Sequence, residues 1–219
     1  MNASNLLVRV EGLLACFTRP EFSTERVSYE VMTPSAARAI LEAILWKPAI
    51  RWRIHAIHVL NPIRWMEFRR NEVNSRASTS GAASAAAGRT EFSDFFADAD
   101  RAQRHTVALR DVDYLVEASF ELTGRAGPAD NMGKFFGMFE RRLGAGQQIY
   151  QPYLGCREFP AFVAPVDADH LPQPIAETRD LGWMLHDMEY GAERRPRFFK
   201  AQLEAGVVQV PAWEEAVTA

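Results

Sequence analysis

The chain has 219 residues, a net charge of −3, and 47% hydrophobic against 24% charged residues. That balance suits a globular protein of one large domain, or one domain with an appended lobe. No apolar run approaches the roughly 18 residues that a membrane-spanning helix needs, and two cysteines, Cys16 and Cys156, are too few for a disulfide framework or a zinc site.

The first segment, "LLVRVEGLLACF", alternates loosely and is broken by Arg9 and Glu11. It reads as a strand and not as a signal peptide, so a cytoplasmic chain with two free thiols is expected. A short strand is expected near Val27 to Val31. Thr33 then caps a helix with Pro34 in its first position, and Ala37, Ile40, Leu41 and Ile44 form its buried stripe. Pro48 stops that helix soon after Trp46 and Lys47.

"AIRWRIHAIHVL" sets Ile50, Trp52, Ile54 and Ala56 against Arg51, Arg53 and His55, the pattern of a half-buried strand with a basic outer face. His55 and His58, three apart on a strand, are expected on opposite sides. "NPIRWMEFRRNEV" reads as a further strand or hairpin arm. The Ser-, Ala- and Gly-rich stretch after it has no core-forming pattern and reads as a mobile loop near 75–100. A strong strand is expected over Asp113 to Leu122.

In "DNMGKFFGMFERRLGAG", Met132, Phe135, Phe136, Phe139 and Leu143 fall at helical spacing, and the glycines end the helix. Three strands follow in "CREFPAFVAPV", "DLGWMLHDMEY" and "PRFFKAQLEAGVVQVP". The order strand–helix–strands–strand–helix–strand predicts an α+β fold: a ferredoxin-like, or RNA-recognition-motif, N-terminal domain with a small C-terminal antiparallel β-sheet. The division falls at 1–147 and 148–219, with a long loop or thumb near 70–110.

No phosphate-loop, dinucleotide or Gly-x-Ser-x-Gly motif is present, and the five histidines form no metal-ligand spacing. Neither a metal nor another cofactor is expected. Only three of the 25 basic residues are lysines: Lys47, Lys134 and Lys200. Arginine's planar fork suits phosphate, and arginines interleaved with aromatic rings suit unpaired RNA. The same residues also fit a buried tryptophan set and a solvated charged face.

The run "ERVSYEVMTPSAARAILEAILWKPAIRWRI" with "RRNEV" resembles the CRISPR-associated Cas five family in its subtype I-C form. So do "DVDYLVEASFELT", "DNMGKFFGMFERRLGAGQQIYQPYLGCREFPA" and "RDLGWMLHDMEY". The resemblance implies a Cascade subunit that binds the 5′ handle of CRISPR RNA, beside backbone and large subunits and the target DNA. Residues implied to hold RNA are Arg26, Trp46, Lys47, Arg51, Arg53, Arg69, Arg70, Arg141 and Arg142.

The resemblance also implies metal-free cleavage of precursor RNA to a cyclic phosphate. Such a reaction needs proton transfer to and from oxygen, and positive charge beside the phosphorane. The implied site has a tyrosine or histidine before Trp-Lys-Pro and a Lys-His pair on the second helix. Here those positions are Leu45, Lys134 and Phe135, so only Lys134 remains as a catalytic candidate. Processing is therefore expected to be weakened or lost. The alternative is an active endoribonuclease that pairs Lys134 with an unidentified group; His55 and Tyr29 are candidates for that partner.

Overall fold

A computed structural model describes residues 5–22, 24–76, 78–91, 96–167, 169–191 and 193–218. Part of the expected loop near 75–100, namely 77 and 92–95, lies outside them.

Strand β1 is Leu6–Ala15 and β2 is the two-residue Arg26–Val27, shorter than the expected strand. Helix α1 covers Pro34–Ile44, with Thr33 Oγ1 accepting from Ala36 N at 3.3 Å. The helix ends before Trp46 because Leu45 is already extended (φ −142°, ψ 106°), although its N–H still reaches Leu41 O. Ile40, Leu41, Ile44 and Leu45 are all buried. Side chains of that size each contribute about 1.5–3 kcal/mol on burial, so packing holds this helix far more than propensity does.

Strand β3 (Ile50–Val59) pairs with β5 and carries a bulge between Ile54 and Ala56. The extra residue changes the alternation. His55 Nε2 meets Ser119 Oγ at 2.7 Å, while His58 faces Glu117. Ser119 and Glu117 are two apart on β5, so the two histidines share one face of the sheet, contrary to the spacing argument.

Strand β4 (Trp65–Val73) pairs with the first half of β5 (Arg101–Leu122) as an arm, joined at its base by β2, which pairs with Thr106 and Val107. The sequence anticipated only the second half of this 22-residue strand. Asp111, at φ +53°, separates the halves; an aspartate tolerates this left-handed conformation better than most residues. The stretch read as a mobile loop instead contains helix α2 (Thr79–Ala86), started by Ser78, whose Oγ accepts from Gly81 N at 2.9 Å. Alanine's helix propensity explains it, since the helix buries no residue.

Helix α3 (Met132–Gly144) follows, then β6 (Phe162–Pro165), β7 (Arg179–Tyr190), β8 (Arg194–Glu204), β9 (Val207–Gln209) and β10 (Val217–Thr218). The order β6-β1-β5-β3 is antiparallel throughout, and β9, β8 and β10 continue from β3. The strands after α3 therefore do not form a separate small sheet. β9 satisfies both its edges, one on β3 and one on β8, and β6 pairs with β1. The result is one large antiparallel sheet with helices, a mixed α+β architecture.

Helices α1 and α3 cover the face that carries Trp52 and Phe120. The Trp52 ring lies 5.2 Å from Phe120 and 4.8 Å from Phe139 of α3, and its Nε1 donates to Leu45 O at 2.9 Å. The opposite face carries paired charges, including Arg9 with Asp113 and Arg53 with Glu121.

Candidate nucleic-acid interface

The segment after α1 and the turn before α3 bear on each other through Lys47 and Asp130. Asn131 caps α3, its Oδ1 accepting from Lys134 N at 2.9 Å. Asp130 closes the preceding turn, accepting from Gly127 N at 2.9 Å and from Lys134 Nζ at 2.8 Å. The hydrogen bond from Lys134 comes first among the causes that hold the Asp130 carboxyl below its ordinary range. The Gly127 amide adds to it, burial opposes slightly, and the charges of Lys134 and Lys47 act in the same direction. Two of the chain's three lysines thus bear on one carboxylate. Lys134 Nζ also lies 5.5 Å from the centre of the Phe135 ring.

Leu45 and Phe135 behave differently from Lys134. Leu45 is fully buried and Phe135 is 2% exposed. Neither side chain carries a proton-transfer group, and both point into the packing between α1, α3 and the sheet. Trp46, by contrast, is 54% exposed, and Lys47 beside it is exposed. Ile149 and Tyr150 add two more exposed apolar side chains along α1: Ile149 N donates to Ala43 O, and the Tyr150 hydroxyl donates to Ala39 O. Only their position in the stretch carrying the family resemblance marked them beforehand.

Of the arginine pair on α3, Arg142 is structural: its Nη1 donates to Ile44 O at 2.8 Å, satisfying a carbonyl at the end of α1. Arg141 is exposed. Arg51 and Arg53 lie on the opposite face and share Glu121, at 3.8 and 3.0 Å. They line a cleft of about 670 Å³ between α1, β7 and the first half of β3, which β9 leaves unpaired on that side. Asp187, Glu189 and Glu214 also line it, so it is not a simple basic groove. The sequence pattern gave no sign of this cleft.

Arg26 and Arg70 come together at the base of the arm. Both reach Glu158 at 2.5 Å, and both lie near Glu72, at 3.4 and 3.5 Å, with Arg104 also at 3.4 Å. Burial acts to raise the Glu158 carboxyl, but hydrogen bonds from Arg70 and Arg26 outweigh it and hold it low. Three guanidiniums around two carboxylates leave a local positive excess. Arg69, on the alternate face of β4, is exposed beside His105 and Glu25. The expected RNA-contacting residues thus fall into three places, not one.

Neither proposed substitute for the missing groups stands beside Lys134. Tyr29 is 1% exposed and its hydroxyl oxygen accepts from Leu185 N at 3.2 Å. His55 is bonded to Ser119 on the sheet face away from α3. Among the described residues no cluster of His, Cys, Asp or Glu is arranged to hold a metal, and no helix is long and apolar enough to cross a membrane.

A family model described as CRISPR-associated protein (Cas_Cas5), of the Cas5d type, matches residues 5–211. The chain is 46% identical over 217 residues to a protein of Mannheimia succiniciproducens named "CRISPR pre-crRNA endoribonuclease Cas5d", covering 95% of this chain and 96% of that one. A protein of Thermus thermophilus with the same name is 39% identical over 228 residues, covering 95% and 92%. A solved structure described as a CRISPR-associated protein superposes with a TM-score of 0.73 at 22% identity, covering 99% of this chain and 97% of that one.

Proposed function

This chain belongs to the CRISPR-associated Cas5 family, in its subtype I-C (Cas5d) form, and on that premise we propose that it is a Cascade subunit that binds the 5′ handle of CRISPR RNA, with precursor cleavage weakened or lost. The observation that carries this reading is the contrast at one corner of the molecule. Lys134 is on the surface and shares Asp130 with the charge of Lys47, the residue after exposed Trp46, while Leu45 and Phe135 are sealed in the core. Two ammonium groups can hold a phosphate, and Trp46 and Tyr150 offer exposed rings on which unpaired bases stack. Removing one positioned proton-transfer group typically costs about 100- to 10,000-fold in rate, and two such positions here are aliphatic or aromatic.

The strand order β6-β1-β5-β3, with α1 after the first strand and α3 after the third, supports a ferredoxin-like core for this binding. In that reading the arm of β4 and β5 is the thumb, and its Arg26–Arg70 base is a second phosphate contact. The backbone and large subunits of the effector, and target DNA held within it, are the proposed partners.

A second reading rests on the names of the two relatives: an active metal-independent endoribonuclease using Lys134 with an unidentified partner. Handle binding is tested by gel shift of the purified chain with its own repeat RNA in EDTA, against a scrambled RNA of equal length. Tighter binding to the repeat is expected. Equal binding to both RNAs contradicts the handle-binding role in either reading.

A further inference from the structure

Cys16 and Cys156 are 140 positions apart in sequence and meet where β1 ends. Cys16 N donates to Leu154 O at 3.0 Å, drawing the two chain segments together. Gly155 permits that approach. It sits at φ +81°, and a Cβ there would fall 2.1 Å from Cys16 O. The Cys156 thiol lies 3.5 Å from Cys16 O, and the hydroxyl of Thr18 lies 3.7 Å from one sulfur and 3.9 Å from the other.

The two thiols are unlike. Cys16 is fully buried, and Cys156 is partly exposed. Arg26 Nη1 stands 4.0 Å from Cys156 Sγ. The neighbouring Cys16 thiol, with help from Thr18 and Arg26 and against burial, lowers Cys156 from the usual thiol range. The same contact and burial raise Cys16. A partly exposed thiol beside a cation, backed by a second thiol, matches what makes a cysteine reactive.

We propose that Cys156 is a nucleophilic thiol, that Cys16 is its resolving partner, and that the pair closes into an intramolecular disulfide when the protein meets a small disulfide oxidant such as oxidised glutathione. The Cys156 thiolate attacks one sulfur of the oxidant; that S–S bond breaks and one glutathione thiolate leaves. Cys16 then gives up its proton and attacks Cys156 Sγ, and the second glutathione thiolate leaves. The protein dithiol is oxidised by two electrons, and the oxidant is reduced to two thiols. The new bond ties the end of β1 to the segment that carries Glu158, the carboxylate holding Arg26 and Arg70. The modification therefore lies under the base of the arm.

The test treats the whole native protein with oxidised glutathione near neutral pH, quenches it in denaturant with N-ethylmaleimide, and maps peptides without reduction. A Cys16–Cys156 cross-link free of glutathione is expected in the wild type. Cys16→Ser stops at a glutathione adduct on Cys156, and Cys156→Ser stays unmodified. If either variant fails to fold, the wild-type time course decides, with the Cys156 adduct appearing before the cross-link. Recovery of both wild-type thiols as maleimide adducts overturns the proposal. So does a glutathione adduct that persists on wild-type Cys156, or a disulfide between copies.

Discussion

Lys134 Nζ sits 2.8 Å from Asp130 Oδ1, across the turn that starts α3. The other oxygen of that carboxylate accepts from Gly127 N. The lysine is therefore held in place before any ligand arrives, and an incoming phosphate competes with Asp130 for it. An ion pair this exposed to water is weak, so a phosphate can displace it.

Replacing Lys134 by Ala is expected to weaken repeat-RNA binding and flatten its salt dependence. Loss of one phosphate contact on a single strand lowers the slope of log affinity against log salt by about 0.7. Asp130→Asn acts in the opposite sense and strengthens binding, because it removes the competing charge. Fluorescence anisotropy over a range of potassium chloride measures both. A slope unchanged in Lys134→Ala means that Lys134 does not hold a phosphate.

The Asp130 carboxyl titrates below its ordinary value of 3.8 because Lys134, and then Gly127, hydrogen-bond its charged form. A depressed folded-state value gives stability that is present above the unfolded value and lost as pH falls through the folded one. The start of α3 is thus expected to loosen only in acid below about pH 4. Carboxyl-carbon NMR of Asp130 reads this directly, with a midpoint below 3.8 in the wild type and a rise toward it in Lys134→Ala. Equal midpoints in the two proteins contradict the pair.

Phe135→His would restore the histidine that the family resemblance implies, at a position that is 2% exposed. A buried ring nitrogen without a partner costs about 1–3 kcal/mol, and lost packing adds to that. A lower denaturation midpoint with no gain of cleavage is expected. An unchanged midpoint contradicts the buried placement of this side chain.

Much of this corner was legible in the sequence. The Thr33–Pro34 start, the apolar stripe of α1 and the Phe135–Phe139–Leu143 stripe of α3 are short-range patterns with local physical causes, and they hold. Other features depend on long-range pairing. Nothing local in "GVVQV" says that β9 bridges β3 and β8 and so merges the C-terminal strands into one sheet. The bulge at Ile54/Ala56, which moves His55 and His58 to one face, is likewise invisible to a strict period of two. The first half of β5, "RAQRHTVALR", has no regular apolar alternation to mark it, because its partners β4, β2 and the end of β1 all come from distant segments. The arginines were legible as a class, but their carboxylate partners, Glu158 and Glu72 for Arg26 and Arg70, come from distant segments.

Arg38 ties α1 to β7: its Nε and Nη2 reach the two oxygens of Asp187 at 2.6 and 3.0 Å, while Nη1 holds Glu42 at 2.7 Å. Both members of the Asp187 pair are less than a quarter exposed. Asp187→Ala is expected to cost about 1.5–3 kcal/mol, the range for hydrogen bonds to charged groups. Urea unfolding measures it. A change within a few tenths of a kcal/mol would mean that the contact adds nothing to docking α1 on β7.

A single-turnover assay of the purified chain on its own repeat RNA in EDTA tests whether Lys134 holds a phosphate or helps to break one. The expected outcome is a tightly bound RNA that stays intact, or is cut far more slowly than it is bound. A rapid cut at one site, leaving a cyclic phosphate and abolished by Lys134→Ala, would contradict it and establish the active endoribonuclease.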